Sequence, residues 1–419
     1  MGTMITLGIE RMELDWGKNN CFTDHSPLFQ ENDIKIIPYY YVDTSTEKRV
    51  TEMKIGYSRK LSLIRMRLDL LGYSIPEIKD MYTKLMDEHC RHYFSDGIAV
   101  SFENFFNAAK SVDISRVSTL DRESEYGVDN YDFGEYVSKC IFEDDEIKRA
   151  FSELSHPELD NAWNNPSNVY KYFLENLDPY IFLRIIADNP LNSEYEVQWR
   201  CTDVIEEGWV TEAEVFQPLD KRNKILIVTE GSTDSYILKK AINSLYPDIC
   251  DFFDFVDMED NYPFTGVGNL YNFCQGLTRI GIQNNIIVIF DNDTAGMEKY
   301  IQAVKLNSPK NLLITKLPNR DEFTHFETLG PQGKSIENIN ERAVSIECFL
   351  DFNVLDFEPC IRWTSYNQKL DQYQGELIRK DEYTRAYKKC DIIDPAFNSS
   401  KLRALVEYLI EQWIFSKSQ

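Results

Sequence analysis

Two stretches share one pattern: Ile225-Leu226-Ile227-Val228-Thr229-Glu230-Gly231-Ser232-Thr233-Asp234 and Ile286-Ile287-Val288-Ile289-Phe290-Asp291-Asn292-Asp293-Thr294-Ala295-Gly296. Each runs from consecutive aliphatic residues into acids and then into small residues that open a helical stretch. Short apolar runs of this kind suit strands buried on both faces of a parallel sheet. The residues between and beyond them keep the alternation. Ser235 to Leu245 has helical spacing, Phe252 to Val256 reads as a strand, and Leu270 to Ile280 as a helix. Ala295 to Leu306 is again helical, and Leu312 to Leu317 is the next strand. Strand–helix alternation predicts a parallel sheet with helices packed on it.

Ligands of open α/β sheets gather at the carboxyl ends of the strands. Glu230, Asp291 and Asp293 all follow strand ends, and Asp234 lies one turn beyond Glu230. Carboxylates brought together repel one another unless a proton or cation neutralises them. A hard divalent cation with oxygen ligands removes that repulsion. In Asp-x-Asp on an extended segment the two acidic side chains point the same way. Gly231 and Gly296 are expected to let the backbone turn tightly beside a ligand. An Asp-x-Asp or a Glu-Gly alone says little, because acids are common in loops. The weight rests on both motifs closing strands of one α/β unit in this order.

In that combination the two motifs resemble the Toprim signature, shared by primases, topoisomerases, ribonuclease M5-like enzymes and OLD-family nucleases. The resemblance covers about a quarter of the chain. It implies an α/β Toprim domain with a Rossmann-like parallel sheet over residues 220–350. It further implies that Glu230 acts as general acid/base or metal ligand, that Asp291 and Asp293 hold Mg²⁺ or Mn²⁺, and that Asp234 serves a second metal. OLD-like nucleases carry a later acidic element, for which Ser345-Ile346-Glu347 is the candidate. Glu347 then completes the second site or is an ordinary helix carboxylate. A downstream lysine of such sites would be Lys380, which otherwise reads as solvated. The implied reaction is metal-assisted phosphodiester hydrolysis in DNA or RNA, as in phage-defence effectors, with a partner ATPase or a homo-oligomer as associated possibilities.

The whole chain also resembles bacterial HEPN/Toprim-associated proteins, a likeness suggested most by Glu13-Leu14-Asp15-Trp16-Gly17-Lys18-Asn19. A HEPN ribonuclease needs Arg and His a few residues apart on a helix. Arg149 with His156 and Arg320 with His325 have the spacing, but Pro157 and a loop setting argue against each.

Outward from the motifs, residues 1–96 read as an α+β region. Met12 to Trp16 and Ile34 to Val42 are strands, Leu61, Ile64, Leu68 and Leu71 mark a helix stopped by Gly72, and Ser74-Ile75-Pro76-Glu77 is a capping box opening another. Arg59, Lys60, Arg65 and Arg67 make the most basic stretch there; the plain reading is a solvated helix face. Residues 97–219 read as mainly helical and acidic, with a helix start at Glu143-Asp144-Asp145-Glu146, a turn at Asn164-Asn165-Pro166-Ser167 and a short sheet over Glu194 to Val210. Residues 351–419 read as a helical C-terminal region, and helices are expected at Ala343 to Leu350, Leu370 to Lys389 and Lys401 to Ile414. His89-Cys90-Arg91-His92 makes a poor metal site, because neighbouring residues on a helix point apart.

Composition sets limits. No stretch is apolar enough for a membrane span and no secretory signal is present, so no membrane partner is expected. Nine scattered cysteines without a Cys-x-x-Cys pair suit reduced thiols of the cytoplasm and exclude the zinc module of a primase. The net charge of −24 opposes the broad basic face of a nucleic-acid binder. It keeps open a rival reading, a non-catalytic scaffold that binds nucleic acid or a partner.

Overall fold

The computed structural model describes residues 2–10, 12–42, 45–46, 49–93, 101–115, 131–132, 145, 176–256 and 266–417. The chain forms two compact units, Met1–Asp220 and Lys221–Gln419.

The first unit is built on one six-stranded sheet. Its strands are β1 (Met4–Ile9), β2 (Met12–Lys18), β3 (Ile34–Val42), β4 (Arg49–Lys60), β5 (Tyr131–Asp132) and β6 (Glu196–Arg200), in the order β3-β4-β6-β1-β2-β5. Every pair is antiparallel except β2 with β5. Because β6 lies between β4 and β1, the regions read as 1–96 and 97–219 share one sheet. They also share one core, in which Leu7, Ile9 and Trp199 join Leu61, Ile64, Leu68 and Phe105. Helices α1 (Leu61–Leu70), α2 (Ile75–Tyr93), α3 (Phe102–Lys110) and α4 (Pro179–Ile186) supply the rest, followed by the short α5 (Thr202–Glu206) and α6 (Glu212–Val215). Every residue of α4 from Tyr180 to Ile186 is buried, including Arg184, whose guanidinium pairs with Asp69 and Asp188.

Local signals were obeyed closely here. Gly72 has φ 96°, and the Tyr73 N–H reaches back to the Leu68 carbonyl at 2.9 Å, so α1 ends in a Schellman turn. The Glu77 carboxylate accepts from both the Ser74 hydroxyl and its backbone N–H. The basic stretch is a solvated face only in part, at the exposed Lys60 and Arg65. Arg59 and Arg67 are buried, Arg59 against Asp33 at 2.6 Å and Arg67 against the carbonyls of Pro27 and Phe29. Lys60 pairs with Glu194 and Arg65 with Asp188. The Glu143–Glu146 helix start apart from Asp145, the Asn164–Ser167 turn, Arg149, His156 and the side chains of His89 to His92 lie outside the described residues.

The second unit opens with strand–helix alternation. Strands β7 (Ile225–Val228), β8 (Phe253–Phe255), β9 (Asn285–Phe290) and β11 (Leu312–Lys316) form an all-parallel sheet in the order β11-β9-β7-β8. Helices α7 (Ser232–Leu245), α8 (Val267–Ile280) and α9 (Thr294–Ala303) alternate with them. A two-residue strand, β10 (Asn292–Asp293), pairs with β14 (Ala343–Val344). A second sheet follows, ordered β13-β12-β15-β16, from β12 (Phe326–Gly330), β13 (Gly333–Glu337), β15 (Ile361–Asn367) and β16 (Gln372–Leu377). Helices α10 (Lys380–Lys389) and α11 (Ser400–Lys417) close the unit.

The C-terminal expectation therefore needs correcting. Residues 351–419 are not wholly helical, since β15 and β16 form a hairpin before α10. Leu370 to Lys389 is not one helix: cross-strand pairing of Trp363, Tyr366 and Tyr373 outweighs its helical spacing. Arg379, at φ 60°, marks the turn into α10. Ala343 to Leu350 is a short strand and a single 3₁₀ turn, Ile346–Phe349. Arg320 and His325 flank another 3₁₀ turn, Asp321–Phe323, and engage Glu322 and Thr324, so they do not share a helix face. Among the described residues no helix is long and apolar enough to cross a membrane.

Candidate metal centre

Strand β7 has β8 on one side and β9 on the other. The winding therefore reverses between β7 and β9, where open sheets leave a crevice beyond their carboxyl ends. Glu230 follows β7, and Asp291 and Asp293 follow β9. The Asp291 N–H donates to Glu230 Oε1 at 2.9 Å, which ties the two strand ends together.

Each acid is held differently. Asp234 sits in the first turn of α7 and accepts from the Gly231 N–H at 2.9 Å. Asp293 caps α9, accepting from the Gly296 N–H at 2.7 Å, an ordinary helix-start role. Its other oxygen accepts from the Gln374 amide at 2.5 Å. Gln374 also accepts from the Ala295 N–H, so it clamps the Asp-x-Asp turn from β16. Between the two aspartates, the fully buried Asn292 points elsewhere, to Pro318, Asn319 and Lys316. Asp291 and Asp293 are thus left on one side, as alternation requires.

The glycines divide. A Cβ on Gly296 would stand 2.2 Å from the Asp291 carbonyl oxygen, so only glycine fits that turn. Gly231 has φ −147° and ordinary room for a Cβ, so the tight turn expected there is absent.

Glu347 is fully buried. Its Oε2 accepts from Ser345 Oγ at 2.7 Å and lies 3.2 Å from Lys380 Nζ, while its Oε1 has no hydrogen-bond partner. Lys380 is therefore an ion-pair partner, not a merely solvated lysine. Its ammonium also feels Asp291 and Asp234. Burial disfavours its charge, but these carboxylates outweigh burial and raise its pKa.

The carboxylates perturb one another strongly. Burial pushes Glu230 up to about 8, with the charges of Asp293 and Asp234 adding to it and the Asp291 N–H and Lys380 opposing. Burial and the Glu347 charge push Asp234 up to about 7. Asp291 is held well above the carboxylate range by burial and then by Asp234, Glu230 and Asp293, opposed by the charge of Lys380. Burial also raises Asp293, against the Gly296 and Gln374 donors. One lysine thus faces five acids.

A divalent metal suits this donor set, all carboxylate oxygen with one buried oxygen orphaned. The side chains are nonetheless spread out: among the described residues no three His, Cys, Asp or Glu already enclose an ion. All five acids singled out from the sequence lie in one electrostatic cluster. Gln374 was missed, and nothing in its local sequence marks it; only the pairing of β16 beside the turn does.

The family model for HEPN/Toprim N-terminal domain 1 matches residues 1–224. The chain belongs to that HEPN/Toprim-associated family, and membership points to a nucleic-acid-related role. The match covers the first unit, up to the strand that begins the acidic site. No curated protein and no solved structure gives a significant match.

Proposed function

We propose that the second unit is a Toprim nuclease domain that hydrolyses phosphodiester bonds in DNA or RNA with Mg²⁺ or Mn²⁺. The observation that carries this reading is the gathering of Glu230, Asp234, Asp291, Asp293 and Glu347 around the switch point of a parallel sheet, with too little positive charge to balance them. Asp291 and Asp293 with Glu230 would hold one ion; Asp234 and Glu347 would hold a second, as in OLD-family nucleases. Such ions supply an activated water and charge stabilisation at the scissile phosphate.

The chain's own groups have separable tasks. Glu230, raised to about 8, is poised to take or give a proton near neutral pH. Gln374 and the Gly296 N–H fix the direction of the Asp293 carboxylate. Lys380 balances Glu347 and offers a cation to a phosphate oxygen. A role in phage defence, with a partner ATPase or as a homo-oligomer, fits an acidic enzyme held idle until triggered.

The test is cleavage of single- and double-stranded DNA and of total RNA with and without Mg²⁺ or Mn²⁺. Glu230→Gln and Asp293→Asn are the informative variants, because Asn preserves the helix cap at 293. Cleavage is expected to fall to background in both folded variants. Full activity in Asp293→Asn would sink the proposal. No metal binding by calorimetry would favour the non-catalytic scaffold, the reading that the charge of −24 supports.

A further inference from the structure

Asn292 stands between the two aspartates of the Asp-x-Asp turn and is fully buried. Its Oδ1 accepts from Lys316 Nζ at 2.9 Å, and its Nδ2 donates to Asn319 Oδ1 at 2.8 Å. Lys316 Nζ also donates to Asn319 Oδ1 at 2.8 Å and lies 3.7 Å from Glu341 Oε1. The Asn319 amide donates to that same carboxylate oxygen at 3.1 Å, which closes a ring of four side chains. A lysine only donates and a carboxylate only accepts, so these two members fix which way both amides face. The ring ties the end of β9 to the end of β11, its parallel neighbour. One member carries strain. Glu341 has φ 64°, a conformation that costs any residue with a Cβ and persists only where its surroundings hold it. It precedes Arg342, whose carbonyl accepts from the Gly375 N–H at 3.0 Å and from the hydroxyl of Thr294, the residue after Asp293.

We propose that Asn292 and Lys316 are positioning residues which, through this ring, aim the Asp291 and Asp293 carboxylates at the place of the divalent ion. The proposal rests on the metal-centre reading and adds to it two residues outside the donor set. Strand alternation supports it: with Asn292 locked on one side, Asp291 and Asp293 are held on the other. Charge does not explain Lys316. A cation near an acidic site weakens its hold on a divalent ion, and the lysine whose charge acts on these acids is Lys380. Burial lowers the pKa of Lys316 despite the pull of Glu341, so its charge costs the fold rather than stabilising it. What Lys316 supplies is direction, two hydrogen bonds that lock the amide between the aspartates.

The experiment is Mn²⁺ binding to the full chain, read by calorimetry and electron paramagnetic resonance, with urea unfolding alongside. Lys316→Met should weaken Mn²⁺ binding about ten-fold and Asn292→Ala about ten- to a hundred-fold. The sign for Lys316→Met is decisive, because losing a positive charge would by itself tighten the hold on a cation. The double variant should bind no more weakly than Asn292→Ala, since the two residues act as one unit. Glu341→Gly should also weaken binding, yet leave the urea midpoint unchanged or raised, because glycine takes φ 64° without strain. Parent-like or tighter Mn²⁺ binding by folded Lys316→Met overturns the proposal, as does full additivity in the double variant. If Asn292→Ala does not fold, Lys316→Met and Glu341→Gly decide the matter. A parent that binds no Mn²⁺ overturns the metal-centre reading itself, whereas a parent that binds it and variants that match it overturn the positioning role alone.

Discussion

The two units treat buried charge in opposite ways. In the first, every buried cation named above meets an acceptor of its own. Arg59 meets Asp33, Arg67 meets two backbone carbonyls, and the buried Arg184 meets Asp69 at 2.6 Å and Asp188 at 2.8 Å. In the second, five acids share Lys380. Balanced burial holds a fold together, whereas unbalanced burial stores repulsion that a ligand can relieve. The contrast therefore separates a unit whose buried cations named here are matched from a unit in which five acids share one lysine.

Three measurements test that contrast. The largest effect is expected in the first unit. Arg184→Leu strips the half-buried Asp69 of the guanidinium that opposes its desolvation, so stability should fall by about 3 kcal/mol, read by urea unfolding. A loss under about 0.5 kcal/mol would mean that the pairing is ornamental and the contrast false.

A smaller effect of opposite sign is expected in the second unit. Asp291→Asn removes the cost of burying that carboxyl, whether as a charge or through uptake of a proton on folding, and takes no hydrogen bond from it. Without divalent metal at pH 8, the variant should gain on the order of 1 kcal/mol, roughly 2–4 °C in Tm. Millimolar Mg²⁺ should raise the Tm of the parent and leave that of the variant nearly unchanged. A variant less stable than its parent would show that the cluster is structurally satisfied.

The smallest effect concerns Lys401, which donates to the Cys348 carbonyl at 2.8 Å and lies over the Phe352 ring. Burial lowers its pKa to about 8 from an ordinary 10.5. Below pH 8 it is charged in both folded and unfolded chains, and folding carries the desolvation cost. Between 8 and 10.5 the folded state releases a proton that the unfolded chain keeps, so Lys401 gains stability as pH rises. Any stability advantage of Lys401→Met should therefore shrink between pH 7 and 9.5 in paired thermal melts. A difference independent of pH would remove Lys401 from the set of uncompensated groups.

Some of the molecule was legible in sequence because its causes are local. Aliphatic runs announced β7 and β9, Ser74 and Glu77 announced the cap of α2, and Gly72 its preceding stop. Glu230, Asp291 and Asp293 were legible because strand ends and alternation fix where they point. The C-terminal hairpin was misread because Gln372 to Leu377 gains its strand character from β15, not from its own spacing. Arg59 and Arg67 were misread for a related reason: their acceptors lie on segments remote in sequence.

The sequence by itself determined the alternating α/β order and the carboxylates at its strand ends, because periodicity and strand termination act within a few residues. Tertiary structure alone decided that Glu347 and Lys380 join Asp234, that Gln374 clamps Asp293, and that Gly231 is dispensable to the turn. The first two depend on segments roughly 80 to 150 residues apart packing together. Burial then raises the pKa of Glu230, Asp234, Asp291 and Asp293, and no short window of sequence encodes burial.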